Sequence, residues 1–150
     1  YIPTTKYKNF LNISPFGGSD PEISYCDIKD ISEFVCDDEA EEIMALNVLN
    51  FFTINEVFAM LENWIKKLAQ RGKLILTFSD FYEIARRIVM TIIENKEVNE
   101  VLYGSQFTPF DIKRSAIPLS VIKNYLLSKN MKITKCRLES FNVLLEAEKL

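Results

Sequence analysis

A capped amphipathic helix set between two strand patterns constrains the fold more than any other feature of the chain. Thr53 followed three residues later by Glu56 forms a capping box, in which hydroxyl and carboxylate satisfy backbone N–H groups that a helix start leaves without partners. Ile54, Val57, Phe58, Leu61, Ile65 and Leu68 then recur at helical spacing until Gly72 ends the pattern. Just before this helix, Ile43-Met44-Ala45-Leu46-Asn47-Val48-Leu49 is apolar nearly throughout, as expected of a strand covered on both faces. After it, residues 73–78 read as another strand, and Ser79 or Asp80 caps a second helix that turns Phe81, Ile84, Ala85, Ile88, Val89 and Ile92 inward. The order strand, helix, strand, helix predicts a parallel sheet with helices packed on it.

The flanks extend this plan. Phe10-Leu11-Asn12-Ile13 reads as a short strand that stops at Ser14-Pro15-Phe16-Gly17-Gly18, and residues 22–28 read as a second strand. Residues 95–116 read as a long loop, after which Pro118 suits the first turn of a third helix carrying Leu119, Ile122, Leu126 and Leu127, with Asn130 as its stop. Two closing strands, residues 132–138 and 141–146, are separated only by Glu139-Ser140, so they must form an antiparallel hairpin. No period of 20 to 50 residues repeats, which removes solenoid and array folds.

Composition then narrows the chemistry. The 150 residues are 48% hydrophobic and enough for one domain with its own core, expected to fold without disulfides or metals. There is no histidine, so imidazole general bases, Ser/His/Asp triads and HExxH zinc sites are all excluded. Cys26, Cys36 and Cys136 form no CxxC pair and are odd in number, which points to a reducing, cytoplasmic setting with no disulfide framework or zinc ribbon. Cys26 and Cys36 read as small core residues, and Trp64 as a ring at the margin of the apolar stripe. With 18 basic and 21 acidic side chains, the net charge of -3 argues against a surface for nucleic acid or an anionic membrane. The acidic run Asp37-Asp38-Glu39-Ala40-Glu41-Glu42 lacks the glycine and spacing of a calcium loop and reads as a solvated turn. No run is long enough to span a bilayer, and no signal peptide is evident; because the chain begins at Tyr1, a preceding targeting segment stays open.

Several local strings, in this order, resemble the class I S-adenosylmethionine-dependent methyltransferases, particularly small bacterial and phage members. Phe10-Leu11-Asn12-Ile13 with residues 14–18 stands where the family has its first strand and glycine loop. Glu41-Glu42-Ile43-Met44-Ala45-Leu46-Asn47-Val48-Leu49-Asn50-Phe51-Phe52 resembles the strand that family members end in a His-Val-Leu-Glu-His-Phe type run. Arg71-Gly72-Lys73-Leu74 is similar to the stretch usually written Pro-Gly-Gly-x-Leu, and Leu102-Tyr103-Gly104-Ser105-Gln106 with the Pro118 helix resembles the family's C-terminal half. The resemblance implies an α/β, Rossmann-like methyltransferase fold: a mostly parallel sheet with a C-terminal antiparallel hairpin, reduced at the edge between the second and fourth strands. Only two residues separate Asp27 from Asp30, where the family usually has a helix and a third strand.

The same resemblance implies S-adenosylmethionine as cofactor, held by Asn12, Ser14, Gly17, Gly18, Asp27, Asp30 and Asn47. Asp27 stands where a carboxylate accepts two hydrogen bonds from the ribose diol, and Asp30 near the acidic residue beside the adenine. Both also read as exposed loop carboxylates. Ser14 and Pro15-Phe16 replace the small residues of the family loop, and Asn50-Phe51 replace its Glu-His pair. An amide orients a substrate but takes no proton near neutral pH, so no catalytic base is assigned. Asn50, Tyr103 and Gln106 are the expected contacts to a small-molecule or glycan-like acceptor, and Asp111 lies in the same loop. Two functions follow. One is methyl transfer, with the acceptor as partner. The other is a catalytically inactive scaffold or binding module with a protein partner, for example in a viral or multi-subunit assembly.

Overall fold

The computed structural model describes residues 7–15, 20–107 and 111–150. Its main sheet joins β3 (Ala40–Leu46), β4 (Leu68–Ser79), β6 (Asn142–Lys149) and β5 (Met131–Glu139), in the spatial order β3-β4-β6-β5. β3 and β4 run parallel, with Leu46 opposite Thr77; β6 is antiparallel to both β4 and β5. The expected hairpin is therefore in place at the sheet's C-terminal edge, and β3 forms the opposite edge. β1 (Asn12–Ser14) and β2 (Ile23–Tyr25) pair parallel to each other as a separate two-stranded sheet, with Asn12 opposite Ile23. The reduction expected near Asp27 and Asp30 takes this form.

The core is built by period-two alternation in the central strands. Leu74, Leu76 and Phe78 of β4, and Val143, Leu145 and Ala147 of β6, are all buried on one face. Against them pack α1 (Ile54–Lys67), through Val57, Met60, Leu61, Trp64 and Ile65, and α4 (Leu119–Ser128), through Ile122 and Leu126. The two helices are neighbours: the Tyr125 hydroxyl donates to the Phe58 carbonyl oxygen at 3.2 Å, and the two rings lie 4.8 Å apart. The capping box at Thr53 forms as expected, with the Glu56 carboxylate accepting from Thr53 N at 2.8 Å.

Several sequence expectations shift. α1 ends at Lys67 instead of running on to Gly72, and β4 starts at once with Leu68 opposite Ala40. A bulge between the two strands absorbs the offset, and Arg71 takes a φ of 66° there. Glycine follows because a Cβ at Gly72 would lie 2.8 Å from the Ala69 carbonyl oxygen and 2.9 Å from that of Ala40. β3 ends at Leu46, earlier than expected, because Asn47 turns to φ 56° and a short 3₁₀ turn, Leu49–Phe51, carries the chain off the sheet. As an edge strand β3 buries only Ala45 fully, so it is not covered on both faces.

α2 (Phe81–Val89) is capped by Asp80, whose carboxylate accepts from Glu83 N at 2.9 Å. Ile84 is buried, but Val89 and Ile92 are exposed instead of facing inward, because the helix stops at Val89 and the chain turns through Thr91 at φ 54°. The expected loop over residues 95–116 contains a further helix, α3 (Asn95–Tyr103), which ends at Gly104. Its weak sequence signal fits its packing, since none of its residues is buried. Cys36 and Cys136 are exposed and Cys26 is half-buried, so neither Cys26 nor Cys36 is a core residue; all three are free. Trp64 is deep in the core at 3% exposure, not at the margin, because residues 28–31 lie across α1 and the indole Nε1 donates to the Ile28 carbonyl oxygen at 2.9 Å. Among the described residues, no helix is long and apolar enough to cross a membrane.

Candidate functional site

The carboxyl ends of β3 and β4 open onto a cleft, the place where open α/β sheets bind ligands. Asn47 caps β3 there. Its backbone N–H is within 2.9 Å of both the Thr77 carbonyl and hydroxyl oxygens, and Thr77 Oγ1 donates back to Asn47 Oδ1 at 3.1 Å. The 3₁₀ turn then drives Asn50 inward until it is buried. Asn50 Oδ1 accepts from Ser79 N at 3.1 Å, and its Nδ2 donates to the carbonyl oxygens of Ser79 at 3.5 Å and Ser115 at 3.4 Å. Its own carbonyl accepts from Arg114 N at 2.7 Å and Ser115 N at 3.2 Å. Asn50 thus joins the end of β4 to the segment that leads into α4.

Two clefts flank this junction. The larger, about 610 Å³, lies over the strand ends and the β5–β6 hairpin; Phe51, Phe141, Val143 and Leu144 give it apolar surface, and Asn47, Thr77, Ser79, Arg137, Glu139 and Asn142 add amide, hydroxyl, guanidinium and carboxylate groups. The smaller, about 290 Å³, lies between α2, α3 and residues 113–117, and is lined mainly by apolar side chains. Asn50, Ser79 and Lys113 belong to both. Lys113 Nζ donates to the Val101 carbonyl oxygen at 2.8 Å, and burial pushes its ammonium below the usual lysine range, with Glu100 pulling weakly the other way.

The expected site residues fall into separate places. Asn47 and Asn50 meet at the larger cleft, and Tyr103, 52% exposed, borders the smaller one beside Lys113. Gln106 is exposed in a left-handed conformation at φ 59° and lines neither cleft. Asp111 is buried and accepts from the Ser105 hydroxyl at 3.0 Å. Gly17 and Gly18, with Phe16, lie outside the described residues. Asn12 folds back on its own turn, accepting from Tyr7 N at 2.9 Å and donating to the Phe10 carbonyl oxygen at 3.0 Å. Ser14 is buried in β1. Asp27 is 62% exposed; it accepts from Lys29 N at 3.0 Å and pairs with Lys29 Nζ at 3.3 Å. Asp30 accepts from Ser32 N at 3.0 Å and Asn63 Nδ2 at 3.2 Å, and the Ser32 hydroxyl and backbone hold its carboxyl below the usual range. Asn12, Ser14, Asp27 and Asp30 lie outside the lining of both clefts, whereas Asn47 lines the larger one.

The sequence reading passed over Thr77, Ser79, Lys113, Arg137 and Asn142. Thr77 and Ser79 carried a usable signal, since they stand at the end of a predicted parallel strand, where such folds place ligands. Lys113 and Arg137 carried none, because only the fold brings them to the same rim. The acidic run is not all solvated turn, because Ala40, Glu41 and Glu42 belong to β3; ahead of them Asp37 accepts from Lys67 Nζ at 2.6 Å and Asp38 from Lys149 Nζ at 2.7 Å. Among the described residues, no group of three or more His, Cys, Asp or Glu side chains is placed to hold a metal ion. The Cys26 thiol is pushed up, first by burial and then by Asp27 and Glu33, the reverse of an activated thiolate.

No family model and no curated protein matches the sequence. Solved structures do match the fold. An O-methyltransferase family protein from Burkholderia thailandensis superposes with a TM-score of 0.59 at 12% identity, over 85% of this chain and 35% of its own. A magnesium protoporphyrin IX methyltransferase from Synechocystis PCC 6803, solved with bound SAH, gives 0.55 at 15% identity, over 85% and 51%. A putative S-adenosylmethionine-dependent methyltransferase from Listeria monocytogenes gives 0.58 at 12% identity, over 89% and 72%. The fold is therefore that of the Rossmann-like, class I methyltransferases. The chain spans about a third of the first of these relatives and about half of the second.

Proposed function

We propose that this chain is a methyltransferase-like domain acting as a binding module for a small-molecule or glycan-like ligand, held in the larger cleft. The observation that carries this reading is the lining at the carboxyl ends of β3 and β4. Asn47, Thr77, Ser79 and Asn142 offer neutral donors and acceptors, the groups that match ligand hydroxyls, and Arg137 adds a cation on the same wall. This reading leaves methyl transfer out because the Asp27 and Asp30 carboxylates are engaged by local turns and, for Asp30, by Asn63 of α1. The domain works in the cytoplasm, which suits three free cysteines, and its protein partner belongs to a larger assembly such as a viral or multi-subunit one.

The test is a titration of the full chain with simple methyl glycosides, followed by backbone amide NMR, and with S-adenosylmethionine and S-adenosylhomocysteine, followed by calorimetry. Saturable shifts at Asn47, Thr77 and Asn142 with a glycoside, and no heat with either cofactor at millimolar concentration, are the expected results. Absence of glycoside shifts overturns the binding reading. A second reading, S-adenosylmethionine-dependent methyl transfer to the same ligand class, draws on the fold shared with the magnesium protoporphyrin IX methyltransferase that carries SAH. Cofactor binding together with methylation of an acceptor, abolished by Asp27→Ala, would establish it in place of the first.

A further inference from the structure

The smaller cleft differs from the larger in carrying the Ser115 hydroxyl. Its walls are apolar, formed by Phe81 and Ile84 of α2, Val101 of α3, and Ile117. Asn50, Ser79, Tyr103, Lys113, Arg114 and Ser115 add polar groups, and Ser115 and Lys113 stand out among them. Ser115 Oγ has under 1 Å² of exposed surface and no hydrogen-bond partner, a condition that leaves a buried hydroxyl's desolvation uncompensated. Lys113 brings three N–H donors on one partly buried ammonium, and the Val101 carbonyl oxygen takes one of them. Among the described residues no carboxylate lies within ion-pair distance of Lys113, whereas the neighbouring Arg114 reaches Glu56 at 3.9 Å. A cation without a counter-ion and an orphaned hydroxyl thus stand on one small apolar cavity.

We propose that this cleft binds a small amphipathic acid, a single apolar ring or short acyl body bearing one carboxylate. The body lies against Phe81, Ile84, Val101 and Ile117, and the carboxylate accepts hydrogen bonds from Lys113 Nζ and Ser115 Oγ. The size agrees with this occupant: the cavity measures about 290 Å³, and an apolar cavity of about 150 Å³ is enough for benzene. The charge agrees as well, because an anion supplies the ion pair that Lys113 lacks and an acceptor for the Ser115 hydroxyl. A neutral sugar offers the Ser115 hydroxyl an acceptor but gives Lys113 no counter-charge, and it exposes its other hydroxyls to the apolar wall. The two clefts share Asn50, Ser79 and Lys113, while Val101, Ser115 and Ile117 belong to this one alone.

The probes are benzoate and its neutral analogue benzyl alcohol, titrated into the full chain with backbone amide NMR as the readout. Benzoate is expected to shift the amides of Val101, Ser115 and Ile117 saturably and to leave those of Thr77 and Asn142 in place. Benzyl alcohol is expected to bind the same amides about tenfold more weakly, as loss of a charge-assisted hydrogen bond implies. Lys113→Met, which keeps an apolar stem, should remove this preference by weakening benzoate about tenfold and leaving benzyl alcohol within about twofold. Comparing the two probes on the unaltered chain needs no variant to fold. Equal affinity for the two probes, no saturable shift with benzoate, or shifts confined to the larger cleft would each overturn the proposal. Failure of the glycoside titration leaves the benzoate result unaffected, so the two readings fail separately.

Discussion

The Asp80 carboxylate accepts a hydrogen bond from the Leu119 backbone N at 2.6 Å, so the residue that caps α2 also closes the first turn of α4. Its own backbone N donates to Phe141 O at 2.8 Å, in the turn between β5 and β6. One buried residue therefore ties two helix starts, through its side chain, to the hairpin, through its backbone. A single helix cap contributes about 1 kcal/mol, so Asp80→Ala should lower unfolding stability by about 2 kcal/mol. Urea denaturation measures this directly, and a loss no greater than that of Thr53→Ala, which removes one cap, would contradict the double role.

Asn50, expected at an acceptor, has its side chain held by both backbone groups of Ser79 and by the Ser115 carbonyl oxygen. Replacing it by aspartate keeps the shape and removes both amide donors, leaving two carbonyl oxygens facing a carboxylate. Asn50→Asp should therefore destabilise the chain by about 1 to 3 kcal/mol. The thermal midpoint at pH 7 is the measurement. An unchanged midpoint would mean that Asn50 is free to serve a ligand.

The parts of this protein legible in the sequence are those dictated by local rules. The Thr53 capping box, the apolar stripe of α1, the alternation of β4 and the two-residue hairpin link each depend on neighbours within a few positions. The paths through residues 91–103 and 23–31 depend on distant partners. α3 buries none of its residues and so leaves no apolar stripe to read, and Trp64 becomes central only because Ile28 comes back across α1. The same holds for the site. Asn47 and Thr77 share a cleft because β3 and β4 are parallel and in register, whereas Lys113 and Arg137 reach it from segments that no spacing rule connects.

Acid should weaken the fold through several carboxylates. The Asp37 carboxyl is held below its usual range by the Lys67 hydrogen bond, Glu56 by the Thr53 backbone N–H, and Glu83 by the Arg86 hydrogen bond. A carboxyl whose folded pKa is depressed adds stability that is complete above its unfolded pKa, about 4, and is lost as pH falls through the folded value. Urea midpoints should hold from pH 7 to about 5 and drop below about 4. Asp37→Asn should lower the midpoint at pH 7 and make the acid drop shallower. A midpoint independent of pH between 7 and 3 would contradict this.

The indole of Trp64 anchors the segment that carries Asp27 and Asp30. Its Nε1 donates to the Ile28 carbonyl oxygen, and Asn63 on the same helix accepts from Ile31 N at 3.4 Å and donates to Asp30 at 3.2 Å. Trp64→Phe removes the donor and leaves that carbonyl without its partner, at a cost of about 1 to 3 kcal/mol. The loss should be local. Amide hydrogen exchange should speed up at residues 28–31 more than at Leu74, Leu76 or Leu145 in the sheet. Uniform acceleration across the chain would mean that this segment is integral to the core instead of docked on it.

Gly104 ends α3 with φ at 82°, in the region that side chains avoid, and a Cβ there would collide with the Asp111 carbonyl oxygen. Backbone cannot yield as a flexible side chain does, so the contact has to open. Just beyond it, Lys113 N donates to the Tyr103 carbonyl oxygen at 2.9 Å, and Lys113 Nζ reaches Val101 at 2.8 Å. Gly104→Ala should therefore cost about 2 kcal/mol or more and displace residues 111–113 from α3. Since Lys113 lines both clefts, the variant should also weaken benzoate binding, while Gly72→Ala, at the bulge between β3 and β4, should lower stability without moving the amides of Val101 or Ser115. Paired denaturation and amide spectra of the two variants separate a general loss of stability from the specific displacement of Lys113. An unperturbed Lys113 amide in Gly104→Ala would show that the α3 end does not position the site.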